Sequence, residues 1–206
     1  GRSPNAVAYR KARLDDVSYG ITSALTHHCN YSKYNVRDLV EANREAGTRL
    51  TIAVGSQDRH YDARILDAPG QAVERVDAYA REFAAVPRVR IIAGPDQFFS
   101  NGPETLKGLK RWSREHGALI HIHSSEEPRT TKWFTETYGM TEVEYAAGIG
   151  FLDPDTILAH QVNCTDRDLE ILRDTGAKVV HNPLANTILG SGMPPLMRMM
   201  EMGIPV

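Results

Sequence analysis

The chain has 206 residues, is 41% hydrophobic and 24% charged, and carries a formal net charge of −2. That is enough apolar material for one sizeable core, and a balance this close to neutral gives no basis for a nucleic-acid or anionic-membrane partner. No apolar run reaches the roughly 18 residues of a membrane span, and no signal-peptide core follows Gly1–Pro4. The two cysteines, Cys29 and Cys164, have no metal-like spacing. They read as free thiols of a reducing compartment, so the expected location is cytoplasmic.

In chain order, Asn5–Tyr19 has helical spacing and stops at Gly20. Ile21–Thr26 is β-branched and reads as a strand running into His27 and His28. Helix Val36–Ala46 closes at Gly47, strand Arg49–Val54 closes at Gly55, and a long polar loop, Ser56–Pro69, carries Arg59, His60 and Arg64. Helix Gln71–Ala84, strand Val89–Ala93 and helix Pro103–His116 follow, the last with proline where a missing amide proton costs nothing. Ala118–Ile122 is a short apolar strand leading into His123-Ser-Ser-Glu126, and on a strand His121 and His123 share one face. Pro128–Tyr138 and Glu142–Ala147 read as helices, and Asp155–Ala159 as a strand ending in His160. Thr165 to Asp168 resembles a capping box opening helix Leu169–Asp174. Strand Ala177–Val180 runs into His181-Asn-Pro, which reads as a turn; helix Pro195–Met202 comes next, and Ile204–Val206 looks like a strand beginning.

Strand and helix alternate about every 25 to 35 residues, the period of repeated βαβ units. A doubly wound sheet and a (β/α)8 TIM barrel both fit. His28, His123, His160 and His181 each stand at the end of a different strand. In a barrel those ends converge on one mouth, whereas an open sheet spreads them along an edge, so the expectation is the barrel. A barrel needs eight strands and about 250 residues. The chain is therefore expected to cover strands 2 to 7 plus the start of strand 8.

Three segments repeat one pattern of apolar strand, His and turn: Ile120–His123, Thr156–His160 and Ala177–His181. With His123-Ser-Ser-Glu126, Ile157-Leu-Ala-His160, Val180-His-Asn-Pro-Leu-Ala-Asn186 and Leu189-Gly-Ser-Gly192, the chain resembles the metal-dependent amidohydrolase superfamily. Within it, the resemblance is to the branch of aminohydrolases and chlorohydrolases acting on heteroaromatic rings, the guanine-, 8-oxoguanine-, pterin- and triazine-deaminase-like proteins. Gly20-Ile-Thr22 fits that branch at the second strand.

The resemblance implies a hydrolase that deaminates such a ring, or breaks a comparable bond, by attack of metal-bound hydroxide. The ion would be Zn2+ or Fe2+. His123 matches a metal ligand, Glu126 the general acid/base, and His160 a residue that orients the water and in some relatives contacts the metal. His181 and Asn182 lie where the substrate pocket is shaped. Phe98 and Phe99 could form a stacking wall for a flat ring, and His27 and His28 could line the mouth from the second strand; Phe98 and His28 are the further candidates for substrate contact. His121 is expected one layer deeper as a hydrogen-bonded core residue, His60 and His116 on the surface, and the methionines Met193 to Met202 as a helix packing face.

The family's strand-1 His-x-His pair and strand-8 Asp are expected before Gly1 and after Val206, so residues 1–206 read as the central part of one barrel domain. Where many relatives have a His and a Tyr after strand 4, this chain has Asp96 and Phe98, and Ala185 replaces a common Ser. The expected partners are a small heterocyclic substrate and further copies of the chain, with no nucleic acid and no membrane. The alternative is a non-catalytic barrel, a scaffold or oligomeric binding protein that has lost its metal.

Overall fold

The computed structural model describes residues 3–206. They form six parallel strands, β1 (Ser23–His28), β2 (Arg49–Ser56), β3 (Val89–Pro95), β4 (Ile120–Ser124), β5 (Thr156–His160) and β6 (Lys178–Val180). Sheet order follows chain order, β1-β2-β3-β4-β5-β6. A doubly wound sheet reverses direction at a switch point, so this order decides for the barrel. The six strands occupy the positions of barrel strands 2 to 7. Val179 N–H donates to Pro205 O at 2.8 Å, which sets residues 204–206 beside β6 at the start of the next position.

The helices α1 (Pro4–Ser18), α2 (Val36–Ala46), α3 (Gln71–Glu82), α4 (Pro103–Glu115), α5 (Pro128–Tyr138), α6 (Glu142–Gly148), α7 (Asp166–Thr175), α8 (Pro183–Leu189) and α9 (Leu196–Glu201) fill the connections. Their ends are fixed by local chemistry. Thr141 with Glu144 and Thr165 with Asp168 form reciprocal capping boxes on α6 and α7, and Gly47 closes α2 in the left-handed conformation. The core lies where the strands meet these helices, around Ile52, Leu106, Leu109, Ile120, Ile122 and Leu158, all without exposure.

Three local expectations change. β1 starts and ends two residues later than read, so His27 and His28 belong to the strand. Residues 183–189, which follow the His181-Asn182 turn and carry no predicted element, form α8, with Pro183 at its first position. Of the methionines, Met199 is buried while Met193, Met197 and Met200 are exposed, so the stripe is not one packing face.

Gly55 allows β2 to lie against the end of β1. A Cβ there would stand 2.5 Å from Cys29 Cα and 2.7 Å from His28 O, both backbone atoms. Gly55→Ala is expected to destabilise the full-length protein by about 1–3 kcal/mol through overpacking, seen as a lowered thermal midpoint; an unchanged midpoint would show that β1 yields freely.

Among the described residues, no helix is long and apolar enough to cross a membrane.

Candidate active site

The C-terminal ends of β4 and β5 bring three of the expected residues together. The His123 and His160 ring centroids lie 5.4 Å apart, and Glu126 Oε1 is 3.3 Å from His160 Nε2. His123 stands at the end of β4, in an irregular stretch where β3 and β4 pair through Ala93 and Ile120 and then through an isolated bridge between Gln97 and His123. There His123 Nδ1–H donates to the Asp96 carbonyl at 2.7 Å, which leaves Nε2 as the lone-pair nitrogen. Burial alone would lower the His123 pKa, but hydrogen bonds and charge from Asp96 raise it.

His160 Nδ1–H donates to Asn186 Oδ1 at 2.7 Å, and burial holds the imidazole towards its neutral form. Its Nε2 lone pair then faces a carboxylate oxygen that is also an acceptor. Two acceptors 3.3 Å apart need a shared proton or a cation between them.

The backbone at both strand ends is strained. Ser125, His160 and Gln161 have φ of 50°, 77° and 48°, a region that non-glycine residues avoid. The surroundings hold it there. Gln161 N–H donates to Ser124 O at 3.1 Å and Asn163 N–H to Ser125 O at 2.9 Å. The Asn163 side chain donates to Glu126 O at 3.0 Å. The buried Glu142 carboxylate accepts the Ser125 N–H, and burial pushes its pKa up to about 7. The turn after β5 thus clamps the turn after β4, which fixes where Glu126 starts from.

The other expected residues divide. His181 and Asn182 stand at the end of β6, half-buried. His181 lies near enough to act on His160 electrostatically, and its buried Nδ1 has no hydrogen-bond partner among the described residues. Asn182 precedes α8 but makes no side-chain capping bond. His28 does not reach the mouth. It is buried against α1, with Nε2 3.1 Å from the Tyr9 hydroxyl, and burial lowers its pKa to about 4. His27 takes that place instead, its ring 4.3 Å from His123 and its Nδ1 2.8 Å from His121 Nδ1. His121 is the buried, hydrogen-bonded residue expected.

Phe98 is a core residue, 2% exposed and edge-on to Phe151 and Tyr145, so it offers no wall to a ligand. Its neighbour Phe99 does. With His60, Trp133, Glu127, Arg129 and Thr130 it lines an open cleft of about 440 Å³ that begins one residue from Glu126.

Asn186, Asn163 and Glu142 were not anticipated. Asn186 had a weak signal in the final Asn of the His-Asn-Pro segment; the other two had none. The donor set suits a divalent ion: a ligating histidine ordinarily gives its other N–H to a carbonyl or amide oxygen, as His123 and His160 both do.

A family model described as the amidohydrolase family matches residues 7–206. The chain belongs to the amidohydrolase family. It is 31% identical over 206 residues to the 5-methylthioadenosine/S-adenosylhomocysteine deaminase of Caldanaerobacter subterraneus subsp. tengcongensis, covering 95% of this chain and 47% of that protein. Against the enzyme of the same name from Aquifex aeolicus it is 32% identical over 168 residues, 82% of this chain and 39% of the relative.

The fold of this amidohydrolase chain is also that of solved barrels. Zinc-complexed atrazine chlorohydrolase from Arthrobacter aurescens superposes with a TM-score of 0.91 at 20% identity, over 98% of this chain and 48% of that one. Guanine deaminase from C. acetobutylicum with bound guanine gives 0.88 at 18%, over 98% and 50%. The chain spans about half the length of the relatives it matches.

Proposed function

We propose that the full-length protein is a metal-dependent hydrolase that removes the exocyclic amino group of a heteroaromatic ring, with a 6-aminopurine nucleoside as the first substrate to test. The observation that carries this is the convergence of His123, His160 and Glu126 at the mouth, on strained turns that the fold holds in place. The names of the relatives, methylthioadenosine and deoxyadenosine deaminases, support the purine class.

In this reading residues 1–206 are the central part of one barrel domain, and the remaining metal ligands, the strand-1 His-x-His and the strand-8 Asp, come from the rest of the protein. His123, through Nε2, and His160 would hold the ion, zinc or iron(II). Such an ion lowers the pKa of a bound water to about 7. Glu126 takes a proton as water adds to the ring carbon and returns it to the exocyclic nitrogen, which leaves as ammonia. His160, fixed by Asn186, orients the water. His181 and Asn182 flank the ring, and Phe99, not Phe98, gives the aromatic wall, with Trp133 and His60 beside it.

A scaffold that has lost its metal fits less well, because it gives no reason to hold a half-buried carboxylate against the lone pair of a buried imidazole. Two further features complete the proposal. Both cysteines are free, in keeping with a reducing, cytoplasmic location, and Leu184, Ile188, Met193 and Met197 expose apolar surface suited to self-association.

The test is ammonia release by the full-length protein from adenosine-type nucleosides, guanine and amino-triazines. Stripping the metal is expected to lower the rate at least about 100-fold and zinc to restore it. If no ring yields ammonia with metal restored, the reading is wrong.

A further inference from the structure

Beside His123, a second group of ligand-type side chains converges from the ends of β1 and β3. A nitrogen of His27, Cys29 Sγ and an Asp96 carboxylate oxygen all lie within 4.8 Å of one another. His27 Nε2 stands 3.9 Å from Asp96 Oδ1, with the two side chains 8% and 5% exposed. The deamination site has no need of this donor set. Its residue in common with the neighbourhood is His123, which turns Nδ1, not Nε2, towards Asp96.

We propose that His27, Cys29 and Asp96 form a second metal site, for a zinc-class divalent ion, that ties the end of β1 to the end of β3 beneath the mouth.

In this group the Asp96 carboxylate interacts with the Cys29 thiol and the Tyr61 hydroxyl, while two buried atoms lack a hydrogen bond. His27 Nε2 and Asp96 Oδ2 have no hydrogen-bond partner among the described residues. Buried polar atoms are rarely left so, and an ion is one of the few things that satisfies a lone pair and a carboxylate together. The tautomer is consistent with ligation. His27 Nδ1 meets His121 Nδ1 at 2.8 Å, so His27 can give that proton to His121 and keep a lone pair on Nε2.

The charges balance as well. One thiolate and one carboxylate carry two negative charges, which a divalent ion neutralises in a buried setting where an unbalanced charge is costly. Imidazole, thiolate and carboxylate together select a borderline-soft ion, whereas calcium and magnesium take oxygen ligands. Ligand bonds of about 2.0–2.3 Å put tetrahedral donors roughly 3.3–3.8 Å apart. The three side chains must therefore close in by about 1 Å, a shift that changes of side-chain torsion supply. The Cys29 thiol gives up its proton to solvent as the ion binds. The hydroxyl of Tyr61, which also interacts with Asp96, or a water can take the fourth position. An ion here fixes Asp96, whose backbone carbonyl aims His123.

The thiolate makes this site spectroscopically distinct from one built of His123 and His160. The experiment is titration of the metal-free full-length protein with cobalt(II), followed by absorption and by metal content. Two equivalents are expected, one of them with a thiolate-to-cobalt charge-transfer band in the near ultraviolet. Cys29→Ser is expected to lose the band and one equivalent while keeping the other. A wild-type protein that binds cobalt without any thiolate band, or a band that survives Cys29→Ser, overturns the proposal. A single equivalent that carries the band upholds this site and counts against the reading of His123 and His160 as ligands. A second measurement needs no variant: zinc is expected to slow alkylation of Cys29 in the wild-type protein at least about tenfold, since a ligated thiolate is a poor nucleophile. An unchanged alkylation rate overturns the proposal.

Discussion

Glu126→Gln is expected to lower kcat/KM for ammonia release at least about 100-fold, the usual cost of losing a positioned general acid/base. The amide keeps the size of the side chain and its place after the strained Ser125, so the turn is preserved. It cannot carry the proton from the water to the leaving nitrogen. Because the loss is in the chemical step, the effect is expected in kcat with KM nearly unchanged, and metal content is expected to match the wild type. Steady-state kinetics beside metal analysis checks both. Activity within about threefold of wild type would remove Glu126 from the mechanism, since general-acid/base loss is never that mild.

Asp67→Ala is expected to destabilise the full-length protein by about 3–5 kcal/mol, the cost of leaving a buried charge unpaired. Lys33, with no exposed side-chain surface, donates to Asp67 Oδ1 at 2.9 Å, to Gln57 Oε1 at 3.1 Å and to Ile65 O at 2.6 Å. Arg75 grips the same carboxylate with two nitrogens, at 2.8 and 2.6 Å. This buried triad closes the base of the loop between β2 and α3, which carries Tyr61 towards Asp96 and His60 towards the aromatic cleft. Removing the carboxylate leaves two buried cations with neutral oxygens but without their shared counter-charge. Urea denaturation measures the loss. Lys33→Met in the Asp67→Ala background is expected to recover part of it, because it withdraws one of the stranded charges. A loss below about 1 kcal/mol, the worth of a surface pair, would show that water reaches the triad.

The sequence by itself determined the alternating strands and helices, favoured the barrel over an open sheet, and through the family resemblance singled out His123, Glu126 and His160 as candidates. Those readings rest on features local to the chain: apolar runs of strand length, glycine and proline stops, the Thr165 capping box, and histidines placed where apolar runs end. The tertiary structure decided what parity and pairing decide. His27 rather than His28 faces the mouth because β1 runs to His28, and along a strand neighbouring residues point to opposite sides. Two adjacent histidines carry no pattern that says which side is which. In the turn that follows β3, the chain folds Phe98 into the core and leaves Phe99 at the cleft. Asn186 met His160 only because residues 183–189 wind into α8 and bring it back across the strand end. The meeting of His27, Cys29 and Asp96 lay further still from the sequence. Asp96 is 67 residues from Cys29, and the two come together through the barrel order of β1, β2 and β3 and the close approach that Gly55 permits. Contacts between distant strand ends are set by register and curvature, which are properties of the whole sheet and of no single stretch of the chain.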